Sequence, residues 1–339
     1  MYRSNPPCTM ATLVCECFLM VRFIFLFMFL HVAVAGAAGL IQAAPELPYS
    51  CDRVEAGDDP EALLDTCMVA LYGFRFLKAD SLSLQLLDNH PDNHLSHFAR
   101  SHYYWWMMIS LPPDNEAVAG FNNSIQRARE LFDKKIAGEK NPGHSDLFYA
   151  ISLSAMSARH DLMAGKYLRA LNRGRNAYAS IKHSLGQEET FDGLYLTSGL
   201  YHYMAEAAVS RYPFLRIYQL LFPAGDKKLG LSQLKKAADL DHPVWQTEAT
   251  YFLMRIFLEM ENDPEQALHY AETLTGRFPE NLIYQYYQML ALKEAGKEQD
   301  ALDRRQVFSN AAMMNEGLSD IQRKYFLELA DELFHSPQQ

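Results

Sequence analysis

The chain has 339 residues, 49% of them hydrophobic and 12% aromatic, which excludes a polar disordered segment and supplies enough apolar side chains for a continuous core. Its formal net charge is −10, with Lys and Arg read as dispersed and usually beside Asp or Glu, the pattern of solvated helix faces. That balance excludes a basic stripe gripping phosphate backbones, so nucleic acid is not an expected partner.

The first element is a targeting segment. Phe23 to Ala35 is a 13-residue run without charge, preceded by Arg22 and followed by small residues at Ala33-Val34-Ala35 and Ala35-Gly36-Ala37. Positive, apolar, small is the order of a secretory signal peptide, expected over residues 1–37. Met20-Val21-Arg22 makes a compact start, so residues 1–19 read as an upstream mis-start. The alternative is an uncleaved anchor, because the apolar stretch reaches Ile41, about 19 residues, enough to span a bilayer. A membrane contact is expected only in that case. Residues 38–58 read as a linker and N-terminal tail.

Cleavage leaves Cys51 and Cys67 as the two remaining cysteines. An exported compartment permits a disulfide between them. The other reading makes Cys67 a small core residue and leaves Cys51 loose.

From Asp59 onward the pattern is helical. Proline-bearing breaks recur at His90-Pro91, Leu111-Pro112-Pro113, Asn141-Pro142, Tyr212-Pro213, Phe222-Pro223, His242-Pro243, Asp263-Pro264 and Pro279. Proline breaks the helical hydrogen-bond ladder, so about fourteen helices are expected between these marks. Longer helical segments are expected at Asn115–Ile136, Ser145–His160, Leu162–Leu185 and Gly193–Val209. A last amphipathic helix, Ser319 to His335, has Ser319 as N-cap and Gln322 at N3, with Ile321, Phe326, Leu329, Ala330 and Leu333 as its apolar stripe.

Two Ala-Leu pairs, Ala267-Leu268 and Ala301-Leu302, stand 34 residues apart, each five residues after a turn position, Asn262 and Gly296. From the first, Ala271 and Leu274 follow at +4 and +7 and Pro279 at +12. Ala79, Ser83, Leu86 and Pro91 repeat that spacing, as do Gly230, Leu234 and Ala237, with His242 at the proline position. A fourth copy from Ala301 has Arg305 at +4 and Met313 at +12. A small residue at the first position lets two helices approach closely, and the +4 and +7 side chains fill the groove between them.

With this period the chain resembles exported bacterial tetratricopeptide-repeat proteins. Lys78-Ala79-Asp80, Asn89-His90-Pro91-Asp92-Asn93 and Tyr103-Tyr104-Trp105-Trp106 look like a first hairpin and the start of the next, and Gly225-Asp226-Lys227-Lys228-Leu229-Gly230 looks like a recurrent element of the group. The resemblance covers about half of the mature chain. It implies an all-α, right-handed α-solenoid of stacked antiparallel hairpins, with irregular repeats over 59–243 and regular repeats closed by a capping helix over 244–339. It also implies a non-enzymatic scaffold or adaptor, exported to the periplasm or outer surface of a Gram-negative bacterium, that needs no cofactor and binds a protein or peptide.

His90, His94, His97 and His102 are candidate metal ligands by residue type, but with no HExxH and no accompanying Cys they read as residues that cap the loop and face solvent or Tyr103, and no metal is expected. The His202–Glu206 pair, near Asp192, suits acid–base work or an ordinary helix surface. Nucleophile elbows and phosphate-cradling glycine loops are absent from the sequence. The aromatic groups Tyr103, Tyr104, Trp105 and Trp106, then Tyr195, Tyr201 and Tyr203, then Tyr284, Tyr286 and Tyr287, read either as packing or as the lining of a concave peptide groove. Arg211 and Arg216 would flank that groove. The alternative function is an enzyme or small-ligand carrier with a pocket of buried Asp, Glu or His between the central helices.

Overall fold

The computed structural model describes residues 59–110, 115–137, 143–211 and 224–335. The apolar run Phe23–Ile41, Cys51 and Arg216 lie outside these residues. Among the described residues there are thirteen α-helices and no strand. They are α1 (Pro60–Tyr72), α2 (Phe76–Asn89), α3 (His94–Ser110), α4 (Asn115–Ile136), α5 (His144–Met163), α6 (Tyr167–Ser184), α7 (Leu194–Arg211), α8 (Lys227–Ala238), α9 (Pro243–Glu259), α10 (Pro264–Arg277), α11 (Leu282–Glu294), α12 (Glu298–Met314) and α13 (Asp320–His335).

Local chemistry sets the helix starts. Asp59 and Asp263 each accept a backbone N–H of the first turn at 3.1 Å, and proline occupies the next position in both cases. Asn281 caps α11 by accepting from Ile283 and Tyr284. The turns before α10 and α12 pass through the left-handed region at Asn262 (φ 52°) and Gly296 (φ 72°), the two positions that the repeat spacing marks. At the last helix the expected capping box is present. Ser319 Oγ accepts from the Gln322 N–H at 3.3 Å, and Gln322 Oε1 accepts from the Ser319 N–H at 2.8 Å.

Two expectations along the chain need correction. Ile321 is 60% exposed and stands off the apolar stripe, because Phe326 lies five residues on, well away on the helix circumference. Buried Gln322 takes its place beside Phe326, Leu329 and Ala330. The segment expected from Leu162 also starts late: α5 runs on to Met163, Gly165 turns the chain at φ 71°, and α6 begins at Tyr167.

The described chain forms two compact units, one from Asn141–Gln233 and one from the described parts of Ala38–Lys140 and Leu234–Gln339, with the boundary inside α8. In the first unit α5, α6 and α7 pack on one another. In the second, successive helices pair as hairpins, α1 with α2, α3 with α4, α9 with α10 and α11 with α12. Order in space departs from order in sequence here, since α1 also packs on α9.

The repeat positions sit where the helices meet. Ala79, Ser83 and Leu86 are buried, as are Leu234 and Ala237, and Ala267, Ala271 and Leu274. In the fourth copy Ala301 and Phe308 are buried, while Arg305 turns aside to pair with Asp331 of α13.

The turn between α1 and α2 is the centre of the second unit. Phe74, 1% exposed, holds φ at 55° and sets its ring 5.0 Å from Phe76, 6.0 Å from Trp106 and 5.9 Å from Phe326. The carbonyl of Tyr72 accepts from Asn281 Nδ2 at 2.8 Å, across 209 residues of sequence. Arg75 faces Glu280 at 3.9 Å, and His242 Nε2 stands 3.3 Å from Asp65.

Candidate functional site

The four consecutive aromatics of α3 point all round, as a helix requires, and they divide accordingly. Trp105 and Trp106 are buried. Trp106 sits edge-on to Tyr72 (5.9 Å) and Tyr284 (6.5 Å), and Trp105 meets Phe121 at 5.9 Å. Tyr103 and Tyr104 are half-buried. Arg100, one turn earlier, organises them. Its guanidinium lies 4.6 Å from both ring centres, donates to Tyr104 Oη at 3.1 Å and to Ser83 Oγ at 3.0 Å, and pairs with Asp80. Burial works against the Arg100 charge, yet the hydrogen bond and charge of Asp80 outweigh it and hold the guanidinium pKa above its usual value. Gly120 of α4 leaves room for the Tyr104 ring, which a Cβ there would strike. The result is a fixed pair of phenol-bearing rings with a cation beneath them.

Tyr195, Tyr201 and Tyr203 belong to the core of the first unit, all three buried. Tyr203 lies under Lys227 at 5.6 Å. Arg211 is the last residue of α7. Tyr103 and Tyr104 on one side, and Tyr195, Tyr201 and Tyr203 on the other, thus belong to separate compact units, and the geometry of the latter three is that of packing.

The third aromatic group lies with charged residues on α9. Tyr251, Arg255 and Glu259 follow one another at i, i+4, i+8, on one helix face. Buried Arg255 donates through Nη2 to Glu259 Oε2 at 2.9 Å, through Nε to Glu259 Oε1, and through Nη1 to Tyr251 Oη at 3.0 Å. Its guanidinium also lies 5.0 Å from the ring of Tyr287. Burial opposes this charge, and Tyr287, Tyr251 and Glu259 overcome it, so its pKa rises. Further along the same face Glu248 accepts from Tyr72 Oη at 2.7 Å. Burial first, and the Glu248 charge second, push the Tyr72 and Tyr284 hydroxyls well above the usual phenol range. These groups are paired and inward-facing, and they join α1, α9 and α11.

The other candidates resolve into caps and turns. His94 meets the Phe132 ring at 5.2 Å, His97 Nε2 contacts the Pro91 carbonyl at 2.9 Å, and His102 Nδ1 contacts the Phe98 carbonyl at 3.0 Å. Among the described residues no three His, Cys, Asp or Glu converge as a metal-binding group. Glu206 Oε2 accepts from the Lys227 N–H at 2.6 Å and so closes the N-terminus of α8. The Gly225–Gly230 element explains itself on the same seam. A Cβ at Gly230 would lie 2.7 Å from the Gly199 carbonyl and strike the Tyr203 backbone, and one at Gly225 would lie 2.6 Å from the His202 carbonyl. Cys67 is fully buried, its thiol donates to the Ala79 carbonyl at 3.5 Å, and burial raises its pKa to about 12.

The charge pattern departs from the dispersed distribution expected. Leu162 to Gln187 contains Lys166, Arg169, Arg173, Arg175 and Lys182 and no acid. Residues 141–233 carry 10 Lys and Arg against 7 Asp and Glu, a net +3, while the rest of the chain carries 21 against 34, a net −13. Averaging over 339 residues hides this asymmetry, which a window of one helix reveals. Among the described residues no helix is long and apolar enough to cross a membrane. No protein family, curated protein or solved structure matches this chain.

Proposed function

We propose that this protein is a non-catalytic scaffold or adaptor that binds a protein or peptide segment, exported to the periplasm or outer surface of a Gram-negative bacterium. Its hairpins stack as a right-handed, tetratricopeptide-like solenoid, with the α1–α2 hairpin laid against α9. The order of Arg22, the apolar run and the small residues at 33–37 supports export. The buried small residues at the head of each repeat copy support the hairpin architecture.

The observation that carries the binding reading is the half-buried Tyr103–Tyr104 pair on Arg100. Aromatic rings with a polar tip lose little entropy on binding and dominate interface energies. Here the rings are fixed in advance by Asp80, Ser83 and the gap at Gly120. The alternative, a catalytic or carrier pocket in the central helices, needs its acids and histidine together. Asp146 stands 14 residues from His160 on α5, about 21 Å along the helix, and the buried acid that does adjoin His160, Asp161, is already committed elsewhere. Asp161 pairs with Arg173 at 3.5 Å, and Asp146 accepts from the Gly143 N–H.

A benzophenone amino acid at position 103 tests the proposal in cells expressing the protein. The expected result is one discrete protein adduct on illumination, with Tyr104→Ala weakening the purified complex by about 2 kcal/mol, roughly 30-fold. Turnover of a small metabolite by the purified protein, or adducts no different from those of a probe at exposed Lys78, would overturn it.

A further inference from the structure

We propose that the outward face of α6 docks on the outward face of α12 of a second copy of this chain, joining the molecules head to tail. Six exposed residues, Leu168, Arg169, Asn172, Ala179, Lys182 and His183, form one side of α6, opposite buried Ala170 and Ala177. Leu168 is 73% exposed in the midst of this positive, acid-free surface. Arg169 and Lys182 make no ion pair among the described residues, whereas Arg173, nearer the core, is committed to Asp161.

The opposite character appears on α12. Its buried side is Ala301, Phe308 and Ala312. The exposed side carries Asp300 and Asp303 between Leu302, Val307, Met313 and Met314, the last 82% exposed. Both basic residues of this helix, Arg304 and Arg305, are half-buried, and Arg305 is held by Asp331. A terminal repeat of a helical array ordinarily turns a polar face outward. Here it turns out methionine, valine and leucine with carboxylates alongside, a surface that soluble monomers seldom leave open.

The two faces are complementary in charge and alike in length, each covering about 15 residues or some 22 Å of helix, and exposed Leu168 gives the α6 face an apolar contact for the side chains of α12. Charge complementarity between the +3 segment and the −13 remainder favours this occupant over a phosphate-bearing one, because it also covers the apolar residues of α12. The contact uses different patches on the two copies, so it builds rings or short filaments, not an isologous dimer.

The test is light scattering of the purified protein across concentration, at about 0.1 M and about 1 M salt, where the screening length falls from about 10 Å to about 3 Å. Expected are species larger than the monomer at low salt and at least a tenfold loss of association at high salt. Arg169→Glu/Lys182→Glu and Asp300→Lys/Asp303→Lys should each be monomeric, with unchanged helical circular dichroism. Mixed one to one, the two variants should reassociate, since wild-type and charge-reversed contacts then alternate. A monomer at all concentrations would sink the proposal. So would association that neither variant weakens, failure of the mixture to reassociate, or a salt-sensitive complex with duplex DNA or phosphatidylglycerol vesicles by a chain that stays monomeric.

Discussion

Arg255 and Arg100 illustrate how single residues are placed in this protein. A guanidinium taken out of water is costly, and the cost is offset by charge-assisted hydrogen bonds to paired groups. Arg255 has three such bonds, to both oxygens of Glu259 and the hydroxyl of Tyr251, and Arg100 has three, to Asp80, Ser83 and Tyr104. The raised pKa values of Tyr72, Tyr284 and Tyr287, which follow first from burial, and that of Arg255, which its partners hold up against burial, therefore record structural packing and pairing, and they do not mark an acid or a base awaiting substrate. His160 is the residue whose titration reaches stability. Its ring is buried, and burial holds its pKa below the ordinary value; Asp161 raises it and Lys166 lowers it. The folded state thus keeps His160 neutral where the unfolded chain would take up a proton. The stabilisation is complete above the unfolded value of about 6.5 and is lost as pH falls from there toward the depressed folded value. Urea midpoints measured between pH 5 and pH 7.5 should drop on the acid side, and His160→Phe should flatten that slope. An unchanged slope in the variant would assign the acid sensitivity to another group.

At the scale of elements, the seams between helices are set by residues that lack bulk. Gly230 lets α8 lie against the backbone of α7 at Gly199 and Tyr203. Its neighbours there are main-chain atoms, which cannot rotate away, so Gly230→Ala should force the helices apart and cost about 1–3 kcal/mol. Gly276, which has open space around it, should accept alanine with little change or a small gain. Thermal denaturation of the two variants side by side checks the contrast. These seams were legible in the sequence because a small residue followed by apolar side chains at +4 and +7 is a local pattern of one helix. The capping box of α13, the positive-φ turns at Asn262 and Gly296 and the bounds of α4 were legible for the same reason. The i, i+4 relation of Arg255 with Tyr251 and Glu259 was also within reach of a local reading. What escaped was everything that joins distant segments. Arg100 finds Asp80 on another helix, and Tyr72 finds Glu248 across 176 residues, with no periodic signal for either. Which of Tyr103, Tyr104, Trp105 and Trp106 faces outward was likewise open. On consecutive positions the helical period fixes their relative directions but not the side on which neighbours arrive.

Over the larger assembly of helices, the turn between α1 and α2 ties together segments of the second unit that are far apart in sequence. Phe74 carries two opposed terms. Its left-handed backbone costs about 1–2 kcal/mol for a residue with a Cβ. Its buried ring, set among Phe76, Trp106 and Phe326, is worth about 3–5 kcal/mol against alanine. The ring wins, which is why a glycine does not stand there. Phe74→Ala and Phe74→Gly should both destabilise this unit, and the glycine variant should be the less harmed by roughly 1 kcal/mol because it relieves the backbone. Chemical denaturation of the two proteins provides the comparison, and an alanine variant at least as stable as the glycine variant would contradict it. The same turn has a consequence for how the molecule is made. Tyr72, Phe74 and Trp106 emerge from the ribosome more than 130 residues before α9 is complete. At a synthesis rate of about 5–20 residues per second, that leaves them without their later partners for roughly 7–30 s. During that interval the first hairpins present a sticky aromatic surface to whatever is nearby. A nascent polypeptide of this kind has reason to recruit a holding chaperone until its own carboxyl-terminal third arrives to cover it.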